Sequence, residues 1–407
     1  MWQGKYIPCQ PYHRLKHPRP GSVFNRRELS SPSFDFGVIG AYCAAAMNVV
    51  KATRNYEEWL GNHTDLIEKD LRLKHASMKE GIFAFLRATY YRWAQLWPEI
   101  CPELADAPEV LAVGDLHVEN FGTWRDADGR LIWGVNDFDE TYTLSYANDL
   151  VRLAVSAHIA VEAGHLPVKP GDICDALLDG YQQSLRARGL PFVLEENHDW
   201  LRKIAISELR EPVHFWAKLD ALPTLKEQIP ISAVDALEHL LPARDVKYRV
   251  AHRVAGLGSL GRPRYVAIAD WHGGKIAREA KALVTSACHW ADDEEGISEI
   301  LYQTIVGRAV RCPDPFVQMR GRWIVRRLSP HCSRIELSTV QLQGEEVRLL
   351  RAMGWETANI HLGTPNARNG ILGHMQKQRR RWLHRATERM VQSVREDWKE
   401  WKENGKD

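Results

Sequence analysis

No apolar run in this sequence is long enough to cross a bilayer. The one extended stretch, from Phe36 to Val50, is interrupted by Gly37, Gly40 and Asn48. Met1 is followed by Pro-, Arg-, Lys- and Ser-rich sequence and not by a charged start with an apolar signal core. An excess of one charge is missing too: 54 Lys and Arg face 52 Asp and Glu, a formal net charge of +2, so no overall field points to nucleic acid or a membrane surface. The seven cysteines, at Cys9, Cys43, Cys101, Cys174, Cys288, Cys312 and Cys332, form no CxxC pair and have no zinc-site spacing. These absences predict a protein of the reducing cytoplasm with no membrane insertion and no nucleic-acid partner. No internal repeat is visible.

What is present is enough apolar sequence, 44% of 407 residues, to bury a large core. Pro8, Pro11, Pro18, Pro20 and Pro32 among scattered basic residues predict an extended segment over 1–46. A helix is expected from Met47, and the spacing of Met78, Ile82, Phe85, Leu86, Tyr90 and Trp93 predicts one apolar stripe over Ser77–Trp93, with Arg87 within it. Short apolar runs at Val110–Val113 and Leu131–Val135, with Asp128-Gly129 between them, predict a strand pair. Helical patterns follow from Tyr146 to Glu162 and on to about Leu241. β-favouring runs begin near Val246 and recur at Tyr265–Ile268, Lys275–Ala280, Phe316–Met319 and Trp323–Leu328. Helix is expected at Ile297–Val310, at Glu345–Leu362, and through most of the remainder to Trp401.

The chemistry concentrates where these strands end. Gly114-Asp115-Leu116-His117-Val118-Glu119-Asn120 puts a carboxylate five residues before a carboxamide, and Asn136-Asp137-Phe138-Asp139-Glu140 follows the next strand. Phosphoryl transfer needs a carboxylate to orient the acceptor hydroxyl and oxygen ligands for Mg²⁺ that bridges phosphates. Asp115 is the candidate base, Asn120, Asp137 and Asp139 are candidate metal ligands, and Glu140 extends the acidic run. Gly256-Leu257-Gly258-Ser259-Leu260-Gly261 is a GxGxxG loop followed by Arg262-Pro263-Arg264 and a β-like run, which predicts strand-loop-strand and not the strand-to-helix turn of a dinucleotide site. Gly256, Gly258, Ser259 and Gly261 would let backbone approach phosphate closely. Arg278 and Lys281, on opposite faces of the third strand, compete to supply the phosphate-binding cation.

The Asp115 and Asp137 segments resemble the catalytic and metal-binding loops of aminoglycoside and choline phosphotransferases of the protein-kinase-like superfamily. From about Met47 onward the chain is similar to the bacterial domain of unknown function 2252. That likeness rests on Phe83-Ala84-Phe85-Leu86-Arg87, the loop ending at Gly122, Asn136–Glu140, Gly256–Gly261 and Arg278-Glu279-Ala280, where many relatives have Lys-Glu-Ala. The resemblance implies an α+β, two-lobed kinase-like fold that uses ATP and Mg²⁺. The glycine loop lies more than a hundred residues after Asp115, so the expected fold is circularly permuted. Residues 47–244 and 336–407 would build a mainly helical lobe, and 245–335 a small sheet lobe inserted between its parts.

Supporting roles are open for Arg87 (phosphate contact or buried ion pair), His117 (ligand contact or loop scaffold), Asp149 (helix cap that also holds the loop) and Arg326 (facing cleft or solvent). The basic run Gln376–Arg381, with Trp382, Trp398 and Trp401, suits an anionic partner or, more often for such a pattern, the solvated face of a helix whose tryptophans pack on the core. The expected function is an ATP- and Mg²⁺-dependent phosphotransferase acting on the hydroxyl of an unidentified, preferably small, acceptor. The alternatives are a nucleotide-binding pseudokinase or scaffold, a nucleotidyl transferase, and a metallophosphoesterase for which Asn197-His198-Asp199 would have to supply further ligands.

Overall fold

The computed structural model describes residues 47–104, 107–195, 197–206, 211–293, 299–330, 332 and 344–405. The segment 1–46 with Cys9 and Cys43, the first residues of the helix expected from Ile297, and the 335/336 boundary lie outside the described residues. The fold is mixed α+β. Helices α1 (Val49–Gly61), α2 (Glu68–Glu80), α3 (Ile82–Ala88) and α4 (Tyr90–Ile100) lead into strands β1 (Glu109–Ala112), β2 (Phe121–Arg125), β3 (Leu131–Val135) and β4 (Tyr142–Ser145). Helices α5 (Tyr146–Glu162) and α6 (Pro170–Ala187), the short β5 (Phe192–Val193), and helices α7 (Asp199–Ile206), α8 (Pro212–Asp220) and α9 (Ile231–His239) come next. Strands β6 (Arg249–His252), β7 (Arg264–Trp271) and β8 (Gly274–Ala282), helices α10 (Ala287–Ala291) and α11 (Tyr302–Arg308), and strands β9 (Gln318–Arg320) and β10 (Trp323–Leu328) follow. The chain closes with α12 (Glu346–His361), α13 (Ala367–Lys377) and α14 (Trp382–Asn404).

Two local expectations are corrected. The stripe over Ser77–Trp93 is not one helix: the chain breaks at Gly81, which is extended, and at Thr89, whose hydroxyl donates to the Phe85 carbonyl at 2.8 Å. Helical spacing survives the breaks because α2, α3 and α4 all bury their apolar side chains in one core. The second correction concerns strand pairing. β1 pairs antiparallel with β4, while the Asp128-Gly129 turn joins β2 to β3. The strand nearest the turn in sequence, Phe121–Arg125, took the partner that had been assigned to Val110–Val113.

A five-stranded antiparallel sheet runs in the order β6-β7-β8-β10-β9. Its central hairpin turns through His272-Gly273, both at positive φ as the tight twist-matched hairpin turn requires. One apolar cluster on this sheet takes in Ala233, Ala236 and Leu237 of α9. Another takes in Leu219 of α8, with Phe215 and Trp216 packed against it. The apolar cover of the sheet therefore starts before residue 245. The main core is built by α1–α6 with α12–α14, and it reaches α10 and α11 through Ala287, Cys288, Tyr302 and Ile305. Among the described residues no helix is long and apolar enough to cross a membrane.

Candidate phosphate and metal site

Asp115 sits just past β1, on a loop whose backbone is held from α5. Asp149 accepts from Val113 N at 2.8 Å and Gly114 N at 3.0 Å, and Ser156 Oγ accepts from Val118 N at 3.0 Å. Asp149 also meets His361 Nε2 at 3.0 Å, and the other ring nitrogen of His361 meets Tyr181 OH at 2.8 Å, so a fully buried polar chain runs behind the loop. Asp149 is thus a loop holder. The cap of α5 is Ser145, whose side chain accepts from Ala147 N. Gly114 adopts φ of 80°, and a Cβ there would lie 2.2 Å from the Glu140 carbonyl, so no larger residue fits.

Asn120 Nδ2 donates to the Asp115 carbonyl at 2.5 Å, which leaves Oδ1 as the acceptor end of the amide. Asn136 N donates to the Asn120 carbonyl at 3.0 Å and ties the loop before β2 to the end of β3. Asp137 and Asp139 follow directly. The two carboxylate loops therefore converge through the β1–β4 and β2–β3 pairs and this tie, not through the hairpin expected from sequence.

The sequence left open which strand-three cation serves the site, and geometry separates the two. Lys281 on β8 contacts both Asp139 oxygens, at 2.7 and 2.6 Å, and Asp137 Oδ1 at 3.4 Å. Arg278 lies on the opposite face, where Nε donates to the Leu240 carbonyl at 2.7 Å and the guanidinium rests on Phe316. Alternation along a strand makes this the only outcome once Lys281 faces inward. Burial opposes ionisation of Asp137, but Lys281, a hydrogen bond with Asp139 and the charges of Arg326 and Arg264 together outweigh it and hold that carboxyl well below its ordinary value. Burial and the charge of Asp137 push Asp139 upward.

The glycine loop between β6 and β7 closes over this group. A Cβ on Gly258 would lie 2.9 Å from the Arg87 carbonyl and 3.6 Å from Asp115 Oδ2, so only glycine admits this approach. The cavity beneath, about 480 Å³, is lined by Asp115, Asn120, Asp137, Asp139, Gly256, Gly258 and Ser259 among others, a volume in the range of small-molecule sites. Gly261 is turned away, its Cβ position 2.4 Å from Leu71.

The remaining candidates make contacts within the frame, and Arg87, His117, Glu140 and Arg326 also line the cavity. Arg87 Nη1 pairs with Glu119 at 2.7 Å. His117 Nδ1 accepts from Glu119 N at 3.2 Å, a loop-scaffold contact. Glu140 takes Arg262 at 3.1 Å and the Ala287 amide at 2.7 Å, which fixes the start of α10. Arg326 lines the cavity and bonds Glu279. His198 packs on Phe192, and Asp199 pairs with Arg202 and Lys203, so neither joins the cavity. Trp398 and Trp401 donate to the Met78 and His75 carbonyls and anchor α14 on α2.

Sequence reasoning missed three groups. Arg152, buried on α5, donates from Nε and Nη2 to Asp115 Oδ1 at 3.1 and 2.6 Å and from Nη2 to the Leu86 carbonyl at 2.6 Å. Burial raises the pKa of Asp115, and Arg152 offsets part of that rise. A lone arginine in the apolar run of α5 was the available signal, because a buried cation calls for a carboxylate. Arg253 and Arg264, which join Arg326 on Glu279, are the second group. The third is Glu356 on α12, which accepts from Asn359 Nδ2 at 2.8 Å behind β3.

Burial pushes the Glu356 carboxyl up to about 7, with Arg311 offsetting part of the rise. A carboxyl raised on folding contributes stability that is complete below its unfolded value, about 4.3, and is lost as pH rises through about 7. Glu356→Gln is therefore expected to remove a decline in stability of about 3 kcal/mol between pH 5 and 8. Urea denaturation at several pH values tests this, and parallel profiles for the two proteins would contradict it.

Magnesium suits this donor set in part. Asp137 and Asn120 Oδ1 offer oxygens, while Asp139 is already gripped by Lys281. Among the described residues no group of three or more His, Cys, Asp or Glu could hold a metal by itself, so phosphate and water oxygens would complete the shell.

A comparison with curated proteins finds no match, and a comparison with solved structures finds none. The family match is narrower than the stretch from Met47 onward suggested by the motifs, and it leaves out Gly256–Gly261 and Arg278–Ala280. Residues 66–205, which carry Asp115, Asn120 and Asp137, match the family model of "Uncharacterized protein conserved in bacteria (DUF2252)".

Proposed function

We propose that this chain is a nucleotide- and Mg²⁺-dependent phosphotransferase with a circularly permuted, kinase-like arrangement, acting on the hydroxyl of a small acceptor. The position of Gly258 carries the reading. A glycine loop more than a hundred residues distant in sequence stands against Asp115 Oδ2, over a cavity that also holds Asn120 and Asp137. Phosphoryl transfer requires these parts together: backbone cover for phosphates, oxygen ligands and a carboxylate for the hydroxyl. Asp115 would orient the acceptor and take its proton as the new O–P bond forms and the O–P bond to the departing diphosphate breaks. Asn120 and Asp137 would hold Mg²⁺, which neutralises charge on the phosphates. Lys281 would keep the Asp137–Asp139 loop in place.

Two observations favour a second reading, nucleotide binding without transfer. Arg152 already occupies one oxygen of Asp115, and Lys281 is committed to Asp139. Nucleotidyl transfer would use the same metal ligands. A thermal-shift experiment tests the shared core of these readings. Wild-type protein should gain stability from ATP only with Mg²⁺, by about 2.7 kcal/mol at a ligand excess of a hundredfold over Kd, and Asp137→Ala should lose the gain. A wild type indifferent to Mg²⁺ and ATP would sink both transfer and binding.

A further inference from the structure

The underside of the five-stranded sheet carries more positive charge than its own carboxylate can neutralise. Glu279 on β8 is fully buried, and three guanidinium groups converge on it. Arg253, just after β6, reaches Oε2 at 2.5 Å. Arg264, at the start of β7, reaches Oε1 at 3.0 Å, and Arg326 on β10 reaches Oε1 at 2.8 Å. Burial opposes ionisation of Glu279, yet the arginines hold its carboxyl far below the ordinary range, so it supplies one full negative charge against three positive ones. Each guanidinium has five N–H donors, and a two-oxygen carboxylate engages a minority of them.

A purely structural ion pair needs one cation. Here Arg264 is almost wholly enclosed and meets that need, whereas the side chains of Arg253 and Arg326 remain 29% and 28% exposed and line the same cavity as Asp115. Arg264 also donates from Nη2 to Ser259 Oγ at 2.7 Å, which fixes the glycine loop against the cluster. The two strand-three cations are spent elsewhere, Lys281 on Asp137 and Asp139, Arg278 on the far face.

We infer that Arg253 and Arg326, set by Glu279 and Arg264 beneath the glycine loop, form an anion subsite that takes phosphate groups without a metal ion. The fork of an arginine matches two phosphate oxygens, and two forks held by one carboxylate are preorganised for more than one phosphate oxygen pair. The inference extends the phosphotransferase reading, since it places phosphate in the cavity proposed for transfer, but its test omits metal and turnover and so fails or succeeds separately. The phosphate would come from a nucleotide tail or from a phosphorylated acceptor.

Calorimetric titration of the full chain with inorganic tripolyphosphate in EDTA is the test. Wild type should bind, and Arg253→Ala and Arg326→Ala should each weaken binding at least about tenfold. Arg253→Lys should retain part of the affinity. Arg278→Ala removes the same charge from the opposite face and should leave binding unchanged. Melting curves identify any variant that fails to fold, and Arg253→Lys then carries the comparison. Displacement of tripolyphosphate by metal-free ATP assigns the subsite to a nucleotide tail. Continued, Arg326-dependent binding to protein saturated with Mg²⁺ and ATP assigns it to a phosphorylated acceptor. No uptake by wild type, or wild-type affinity in both alanine variants, overturns the inference.

Discussion

Asp115→Asn is expected to lower Mg²⁺-dependent ATP consumption at least about a hundredfold while leaving the stabilisation by Mg²⁺ and ATP in place. Asparagine keeps the size of the side chain and one oxygen acceptor for Arg152, and the loop itself is pinned from behind by Asp149 and Ser156. What is lost is the capacity to take a proton from an acceptor hydroxyl. A slow rate shared by wild type and variant would remove Asp115 from the chemistry and leave the nucleotide-binding reading standing. Loss of both turnover and binding would show that the substitution had collapsed the loop.

The largest effect on stability is expected at Arg152. Its guanidinium is buried, rests on Trp93 at 4.8 Å, and serves both Asp115 and the Leu86 carbonyl. Arg152→Met fills similar volume but strands a carboxylate and a carbonyl in a poorly hydrated setting, and removing one member of a buried pair costs about 3–5 kcal/mol. Chemical denaturation measures the loss. If the stranded charge dominates, the double variant Arg152→Met, Asp115→Asn should recover part of it, because neighbouring sites in one network do not add independently. Equal stability of the single and double variants would place the cost in packing instead.

How much of this was legible in the sequence depended on the range of the cause. Local signals were read well: α5 begins and ends where Tyr146 and Glu162 were placed, and β10 spans the expected Trp323–Leu328. The strand-loop-strand reading around Gly256–Gly261 holds, since the loop is flanked by β6 and β7. Pairing failed because Phe121–Arg125 hides its strand in a segment dominated by the Asp115 motif, so the Asp128-Gly129 turn was given to the wrong neighbour. The three guanidinium groups on Glu279 come from the residue after β6, from β7 and from β10, separated by loops and helices. No window of sequence contains them together, and only the strand order β6-β7-β8-β10 brings them onto one face. Arg278 and Lys281 were correctly opposed across the strand, but choosing between them required knowing where Asp139 would lie.

The position of α12 and α14 in the main core bears on how the chain is made. A ribosome would release the Asp115 and Asp137 loops long before these helices. Yet α12 packs along α6 and supplies His361 to Asp149, and α14 lies against α1–α5, with Asp397 paired to Arg92 at 3.0 Å. The segment from α1 to α7 thus emerges with its apolar faces and the polar chain behind the Asp115 loop uncovered, and contacts this distant in sequence form slowly. The matched family segment is in this sense an unfinished core until α12 and α14 pack against it.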